Sequence, residues 1–283
     1  MKIYNDFDLT SYNSYRIKAS CKVAYFPESV DDVIEFYEMQ LPYVLLGSGH
    51  NVIFSKSYYN ENFLIFNGNF DRVNINENII EAEAGATILQ VSKNALNNSL
   101  TGAEFLYDIP SSVGGAIVMN AGTKEGETKN ILKNVLYLDL NDMMVKEKNK
   151  EEIKFEYRNS FFQKNKDKVI LKAWFELKHG DESLIRKRME GSKERRWARQ
   201  PREVPNAGSV FKRPKGFYVG AMIDELNLKG YCVGGAKVSD KHGGFIVNFN
   251  NATGEDIIQL INTIKDRVKA KFNVDLEVEQ RII

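Results

Sequence analysis

The chain has 283 residues, of which 43% are hydrophobic and 27% charged, and its formal net charge is +1. This length and hydrophobic content allow a sizeable core and one or two domains, while the balanced charge argues against a nucleic-acid partner. The two cysteines are too scattered for a disulfide framework, and the three dispersed histidines form no metal cluster. The sequence has no signal-peptide pattern and no apolar run long enough to span a membrane, so we expect a cytoplasmic protein.

The first two thirds of the chain predict alternating helices and strands. Ser29 precedes an apolar-periodic segment through Phe36, and Thr87 has capping-box spacing with Gln90, so each of the two serves as the start of a helix. Apolar runs bounded by Asn, Asp and Gly predict strands at residues 79–84, 135–140 and 169–177. This mixture is typical of an α+β fold.

A first glycine-rich segment reads as strand, tight turn, strand over residues 43–54. It is not the dinucleotide-binding fingerprint G-x-G-x-x-G, because Val52 stands at the third glycine position and a helix pattern does not follow. No G-x-x-x-x-G-K-[ST] motif occurs in the chain, so phosphoryl transfer on a P-loop has no support either.

A second segment, residues 108–122, places three glycines, two alanines and two serines around a short apolar run. A backbone this bare can press against a bulky ligand, and a turn rich in N–H groups can bind an anion without a charged side chain. The alternative is a tight turn followed by a buried strand. Taken together, the two segments predict a ligand the size of a nucleotide, held outside both common nucleotide-binding folds.

The pattern changes near residue 180. A charged helix is predicted at residues 182–200, followed by a segment at 201–205 whose prolines favour an extended backbone. A short strand at 245–249 and a helix capped at Thr253 follow. The core positions predicted on that helix are Ile257, Ile258, Ile261, Ile264 and Val268.

Six motifs in one order and spacing resemble the UDP-N-acetylenolpyruvoylglucosamine reductases, flavoenzymes of bacterial cell-wall synthesis. They are LGSGHN at 46–51, GAEF at 102–105 with the run at 109–122, YRNS at 157–160, AGSVFK at 207–212, KG at 229–230 with VSDKH at 238–242, and LEVE at 276–279. The resemblance runs nearly end to end, and the short chain resembles the type II subgroup. It implies an FAD-binding domain of the PCMH or vanillyl-alcohol-oxidase type at residues 1–180, with two subdomains split near residue 67, and a smaller α+β substrate domain at 181–283.

The resemblance also implies the reaction. NADPH reduces FAD, and the reduced flavin gives hydride to C3 of the enolpyruvyl group of UDP-N-acetylglucosamine enolpyruvate, yielding UDP-N-acetylmuramate. The charge that builds on C2 and the carboxylate needs a cation, a proton donor to C2 and a partner acid, and the matching residues are Arg158, Ser209 and Glu279. From the residues alone, these three also read as a surface arginine paired with Glu156, an ordinary turn serine and a carboxylate near the chain end.

The residues expected to bind FAD come from both glycine-rich segments. They are Gly47, Ser48, Gly49, His50 and Asn51, and Ser112, Gly114, Gly115, Asn120 and Gly122. Tyr157, Lys212 and Arg213 are expected to bind the nucleotide-sugar. For Lys212 and Arg213 the reason is that cationic side chains are the usual partners of phosphates. The chain departs from the family pattern at four positions, which are His50 in place of Ser, Ser111 in place of Gly, Arg213 in place of Asn and Gly244 in place of Asn.

Two other functions remain open. A flavin-dependent oxidase of the same architecture would use oxygen in place of NADPH and bond its flavin covalently to His50. A non-catalytic FAD- or nucleotide-sugar-binding relative is the second alternative, against which the joint presence of Arg158, Ser209 and Glu279 argues. In each case the partners are small molecules, and no obligate protein partner is evident.

Overall fold

The computed structural model describes all residues from 1 to 283. Its helices are α1 (Val30–Glu38), α2 (Ile88–Asn97), α3 (Val113–Val118), α4 (Phe161–Lys164), α5 (Glu182–Arg199), α6 (Val219–Glu225) and α7 (Gly254–Phe272). Its strands are β1 (Lys2–Asp8), β2 (Ser20–Phe26), β3 (Tyr43–Leu46), β4 (Val52–Ile53), β5 (Tyr58–Ile65), β6 (Val73–Asn76), β7 (Ile79–Glu83), β8 (Leu100–Thr101), β9 (Gly122–Thr123), β10 (Gly126–Glu127), β11 (Leu132–Asp139), β12 (Met144–Asn149), β13 (Lys168–Glu176), β14 (Lys178–His179), β15 (Cys232–Val233), β16 (Ala236–Val238), β17 (Ile246–Asn248) and β18 (Arg281–Ile282).

The chain divides into two compact units. The first unit consists of residues 1–4, 24–48 and 62–195, and the second of residues 5–23, 49–61 and 196–283. Both units mix helices with strands, which confirms the predicted α+β content. None of the helices is long and apolar enough to cross a membrane.

The first unit is built on a five-stranded antiparallel sheet in the order β12-β11-β13-β7-β6, and in it β3 pairs in parallel with the Asn62–Ile65 part of β5. The three strands predicted from apolar runs are β7, β11 and β13. Helix α2 begins with the predicted capping box, since the Thr87 hydroxyl accepts from the Gln90 N–H at 3.1 Å and the Gln90 side chain accepts from the Thr87 N–H at 2.7 Å. Helix α1 begins at its predicted cap, where the Ser29 hydroxyl accepts from the N–H of Asp32.

The second unit contains the antiparallel sheet β15-β16-β17, the parallel pair β4 and β18, and helix α7. Thr253 caps α7 as predicted, with Asp256 completing the capping box. Four of the five predicted core positions on this helix are at most 1% exposed. Ile258 is only partly buried, and Leu260 takes the fifth core position in its place.

One alternative and one expectation from the sequence are wrong. The apolar run after Ser112 is not a buried strand but the short helix α3, because the Ser112 hydroxyl accepts from the N–H of Gly115 and starts a helical turn. Residues 201–205 are not continuously extended but contain a turn. The side-chain amide of Asn206 donates to the carbonyls of Pro201 and Val204, both at 2.8 Å, and this draws the segment back on itself.

Candidate functional site

The two glycine-rich segments touch in the first unit. The N–H of Ser112 donates to the Ser48 hydroxyl at 2.9 Å, across 64 positions of sequence. A Cβ atom on Gly47 would lie 2.7 Å from the Ser112 hydroxyl oxygen, closer than real Cβ contacts allow. A side chain at Gly47 would therefore displace the Ser112 hydroxyl. The predicted turn after β3 is confirmed.

The second segment packs through small residues. The N–H of Gly114 donates to the carbonyl of Ala84 at 2.9 Å, and a Cβ on Gly114 would lie 3.4 Å from the Ala84 Cβ. A Cβ on Gly115 would lie 3.2 Å and 3.3 Å from the hydroxyl oxygens of Ser112 and Ser111. The departure at Ser111 is accommodated because its hydroxyl donates to the carbonyl of Ser112 at 3.0 Å.

This arrangement fits the pyrophosphate of FAD. Where the segments meet, Gly47, Ser48, Gly114 and Gly115 are partly exposed. The Ser112 hydroxyl is buried and starts α3, and added side-chain carbon at Gly47 or Gly115 would press on it. Such a surface lets a bulky, doubly charged ligand approach the main chain, and hydroxyls supply hydrogen bonds to its oxygens.

Asn120 and Gly122 have contacts of their own within the first unit. Asn120 is fully buried, and its side-chain amide donates to the Glu127 carboxylate and to the Glu156 carbonyl, both at 3.1 Å. Its side-chain oxygen accepts from the N–H of Lys129 at 3.1 Å. A Cβ on Gly122 would overlap the carbonyl oxygen of Gly126, because β9 and β10 pair closely there.

Arg158 lies in a tight turn whose flanking residues, Glu156 and Asn159, exchange both backbone hydrogen bonds. Its φ of 52° is in the left-handed region, which turns usually fill with glycine. The guanidinium donates to the carbonyls of Asn120 at 3.3 Å and Gly122 at 3.0 Å. Glu156 in turn bonds the ammonium of Lys164 at 2.6 Å. The arginine is therefore anchored to the end of the second glycine-rich segment.

The remainder of the first glycine turn lies in the second unit. Gly49 has a φ of 69°, and a Cβ there would overlap the carbonyl oxygen of Tyr12. His50 makes a hydrogen bond through Nδ1 to the hydroxyl of Ser14. Burial, and secondarily the positive charge of Arg16, lower the pKa of His50 to about 4. Its imidazole is therefore neutral at pH 7.

Asn51 contacts the backbone of Glu279. The Asn51 side-chain amide donates to the Glu279 carbonyl at 3.1 Å, and the N–H of Arg281 donates to the Asn51 carbonyl at 2.9 Å. On the other side, the N–H of Glu279 donates to the Val210 carbonyl at 2.8 Å. The backbone of Glu279 is thus held between β4 and the strand-like segment that follows Ser209.

Ser209 is exposed and lies in an extended segment that bridges to Phe245. The next residue, Val210, is 1% exposed, and its N–H donates to the Gly244 carbonyl at 3.0 Å. Gly208 has a φ of 79°, and a Cβ built on it would have no atom within 4 Å. Open space therefore adjoins the turn that carries Ser209.

Gly244 explains one departure from the family pattern. Its N–H donates to Nδ1 of His242 at 3.0 Å, and a Cβ on it would lie 3.1 Å from the Cε1 atom of that ring. A larger residue would press on His242 while its carbonyl also holds Val210. Glycine at position 244 therefore leaves room for the His242 ring in this chain.

The predicted substrate-binding side chains are held by neighbours. The Lys212 ammonium lies 2.6 Å from the Glu277 carboxylate, and the Arg213 guanidinium carbon lies 3.8 Å from the centre of the Tyr218 ring. Tyr157 is 49% exposed, and its ring centre lies 5.2 Å from the Arg158 guanidinium carbon. The rings of Tyr157 and Tyr218 therefore lie beside cations, in contacts that stabilise by cation–π attraction.

Two buried polar residues beside Ser209 were not predicted. Gln280 donates to backbone carbonyls of the Ser209 turn, and its side-chain oxygen accepts from the hydroxyl of Tyr15. Tyr15 and Gln280 are 265 positions apart, so no local pattern links them. Only the position of Gln280 next to the candidate Glu279 could have drawn attention to this pair.

Two family models match the chain. One describes an FAD-binding domain and matches residues 21–144, which include both sides of the Ser48 and Ser112 contact. The other describes the C-terminal domain of UDP-N-acetylenolpyruvoylglucosamine reductase and matches residues 200–283, which include Ser209 and Glu279.

Full-length relatives agree with these matches. A UDP-N-acetylenolpyruvoylglucosamine reductase of Francisella tularensis subsp. tularensis is 41% identical over 277 residues, covering 97% of this chain and 98% of the relative. One from Caldanaerobacter subterraneus subsp. tengcongensis is 39% identical over 286 residues, covering 100% of this chain and 94% of the relative. The crystal structure of UDP-N-acetylenolpyruvylglucosamine reductase from Thermus caldophilus superimposes with a TM-score of 0.84 at 27% identity, over 99% of this chain and 98% of that chain.

Proposed function

Since the chain belongs to the UDP-N-acetylenolpyruvoylglucosamine reductases, FAD- and NADPH-dependent oxidoreductases of peptidoglycan synthesis, we propose that Arg158, Ser209 and Glu279 carry its catalytic chemistry. The predictions of family, fold class and cofactor, and of FAD-dependent reduction of the enolpyruvyl nucleotide-sugar, are confirmed by the full-length relatives and the FAD-binding match. The observation that carries the site assignment is the anchoring of Arg158 to the carbonyls of Asn120 and Gly122, at the end of the segment proposed to bind flavin.

We assign the flavin to the two glycine-rich segments. Bound FAD supplies a carrier that accepts hydride from NADPH and passes it to the substrate. Its pyrophosphate would be held by the side chain of Ser48 and the backbone of Gly47, Gly114 and Gly115. Ser112 would shape this turn through its cap of α3. The other residues in this assignment are Gly49, His50 and Asn51, with Asn120 and Gly122 contributing through their backbone.

Arg158 binds the substrate carboxylate. Its guanidinium donates to the carbonyls of Asn120 and Gly122, and these contacts hold it in place before substrate arrives. A fixed cation stabilises the negative charge that develops on the carboxylate and C2 after hydride reaches C3. Its strained backbone supports this role, since such strain concentrates at functional sites.

Ser209 donates a proton to C2, and Glu279 is its partner acid. The open space beside Gly208 supports access of a ligand to the Ser209 hydroxyl. The N–H of Glu279 bonds Val210, the neighbour of Ser209, so the two candidates belong to adjacent backbone segments. A hydroxyl becomes a competent general acid only with such a supporting group.

The nucleotide-sugar is bound by Tyr157, Lys212 and Arg213. Lys212 and Arg213 supply positive charge for the phosphates, which ammonium and guanidinium groups commonly bind. We propose residues 1–180, split near residue 67, as the FAD-binding domain and residues 181–283 as the substrate domain. These bounds differ from those of the compact units, which group residues 5–23 and 49–61 with residues 196–283. We place the protein in the cytoplasm, because its substrates are a nucleotide-sugar and NADPH.

Anaerobic spectroscopy of the purified enzyme tests this function. NADPH is added to the FAD-loaded protein, and the yellow colour should bleach. Adding UDP-N-acetylglucosamine enolpyruvate should then restore the oxidised spectrum with release of UDP-N-acetylmuramate. A protein that takes up no FAD, or a reduced enzyme that only oxygen reoxidises, would overturn the proposal.

A further inference from the structure

A buried side-chain amide lies against the turn that carries Ser209. Gln280 is 4% exposed, and its Nε2 lies 3.0 Å, 3.3 Å and 3.4 Å from the carbonyl oxygens of Ala207, Gly208 and Ser209. Three consecutive carbonyls therefore converge on one amino group. Without that donor their like partial charges would repel, and the left-handed backbone at Gly208 is what permits them to converge.

The orientation of this amide is fixed from behind by Tyr15. The Tyr15 hydroxyl donates to the Gln280 Oε1 atom at 3.0 Å, so the opposite end of the amide, the donor, faces the carbonyls. Tyr15 is fully buried, and its own carbonyl accepts from the Asn248 side chain at 2.8 Å. Burial raises the pKa of Tyr15 well above its usual value, so the hydroxyl remains a donor.

We propose that Gln280 is a positioning residue for Ser209, and that Tyr15 sets the orientation of its amide. The inference rests on the proposed role of Ser209 as proton donor. The backbone at residues 207–209 determines where the Ser209 hydroxyl lies, and proton transfer to carbon depends steeply on that position. A turn with φ of 79° at Gly208 has open space beside it, so little other packing supports it on that side.

The backbone around the turn is held separately. The N–H of Gly208 donates to the Asn206 side chain at 3.1 Å, and Val210 is held by Gly244 and Glu279. Gln280 binds the carbonyls of residues 207–209, which lie between the Asn206 contact on one side and the Gly244 and Glu279 contacts on the other. Its loss should therefore loosen residues 207–209 while the flanking backbone pairing persists.

The first experiment uses Gln280→Met in the FAD-loaded enzyme, a change that keeps length and removes the donor. Hydrogen–deuterium exchange without substrate should quicken in the peptide spanning residues 206–211 by about 10-fold. In stopped-flow measurements, reduction by NADPH should change by less than about 2-fold, whereas reoxidation by the enolpyruvyl substrate should slow roughly 10-fold to 100-fold. Tyr15→Phe should slow reoxidation by about 5-fold, since it removes one hydrogen bond.

Tyr59→Phe is the matched control, because Tyr59 is also buried in the second unit and donates through its hydroxyl to the carbonyl of Ile283 at 2.8 Å. It should leave both half-reactions unchanged.

A second variant gives a signature that mere destabilisation does not produce. In Gln280→Glu the introduced carboxyl, when protonated, can donate to the carbonyls and accept from Tyr15. When ionised it presents negative charge to three carbonyl oxygens. Reoxidation by this variant should therefore slow as pH rises and recover on acidification, a transition absent from the wild type. This variant also serves if Gln280→Met does not fold.

Two results would overturn the inference: exchange and reoxidation in Gln280→Met equal to wild type, or equal slowing of both half-reactions in Gln280→Met and Gln280→Glu without pH recovery. Failure of the proposed function looks different, because the wild-type reduced enzyme would then not be reoxidised by the enolpyruvyl substrate at all.

Discussion

Asn120 contacts both the guanidinium of Arg158 and the backbone turn in which Arg158 lies. The Asn120 carbonyl accepts from the guanidinium at 3.3 Å, while the Asn120 side-chain amide donates at 3.1 Å to the carbonyl of Glu156, which begins the Arg158 turn. Asn120 itself has a φ of 45° and is fully buried. A single asparagine of the second glycine-rich segment therefore contacts both the cation and the strained turn that presents it.

Asn120→Gly should therefore impair substrate turnover rather than flavin binding. Glycine tolerates the positive φ, but it leaves the Glu156 carbonyl without this donor, and substrate binding should weaken by roughly 10-fold because Arg158 is less well fixed. Asn273→Gly is a matched control, since Asn273 has a φ of 55° and is exposed at the end of α7. Loss of FAD from Asn120→Gly, measured by the visible spectrum, would assign the Asn120 side chain to the cofactor instead.

Ser209→Ala should separate the two half-reactions. Bleaching by NADPH should proceed at a near wild-type rate, while reoxidation by the enolpyruvyl substrate slows roughly 10²-fold to 10⁴-fold, the usual contribution of a positioned general acid. Arg158 and Glu279 variants should share this pattern, with Arg158 variants also binding substrate more weakly. Ser11→Ala, at an exposed serine of the same unit, should behave as wild type. Equal loss in both half-reactions of Ser209→Ala would move Ser209 to a structural role at the flavin.

Gly115→Val should remove the flavin. Its Cβ would lie within 3.3 Å of two serine hydroxyls, and its methyl groups would extend into the surface assigned to the pyrophosphate. Gly220→Val provides the control, since a Cβ on Gly220 meets nothing within 4 Å. The measurement is the ratio of flavin to protein absorbance after purification, and full occupancy in Gly115→Val would contradict this placement of the cofactor.

The stability of the protein should fall between pH 6.5 and 4 because of His50. Its pKa is about 4 in the folded protein against 6.5 for the free side chain, so the unfolded chain binds more protons across this window. The penalty should begin as pH drops below about 6.5 and reach roughly 3 kcal/mol near or below pH 4. Denaturant titrations should therefore show that the free energy of unfolding falls more steeply between pH 6.5 and 4 in the wild type than in His50→Gln. Parallel pH profiles would show that His50 titrates normally.

Acid precipitation should release the flavin into the supernatant. His50 is committed through Nδ1 to a hydrogen bond with Ser14, and we expect it to contact the cofactor without a covalent bond. Flavin retained in the pellet, and absent from His50→Ala, would favour the oxidase alternative.

Sequence patterns predicted what local chemistry determines. The capping boxes at Thr87 and Thr253 combine a hydroxyl and a side chain three residues on, so both helix starts were readable. The helix after Ser112 was missed, because valine and isoleucine favour strands and the decisive contact is one serine hydroxyl.

Contacts between segments that are distant in the sequence could not be predicted from local patterns. The Ser48–Ser112 contact, the Asn51–Glu279 contact and the Gln280–Tyr15 pair join residues 64, 228 and 265 positions apart. The family resemblance marked several of these residues as candidates. It did not show that Asn51 and Asn120 use their side-chain amides to hold the backbone around other candidates.

The parallel pairing of β18 with β4 has a consequence for synthesis of the chain on the ribosome. Arg281 pairs with Val52, so the second unit joins segments that are translated at well-separated times. All segments of the first unit have been made by residue 195, and that unit can fold first. At about 5–20 residues per second, β4 remains without β18 for roughly 10 to 45 seconds. This interval exposes an unpaired strand, so binding by a nascent-chain chaperone should be concentrated on it.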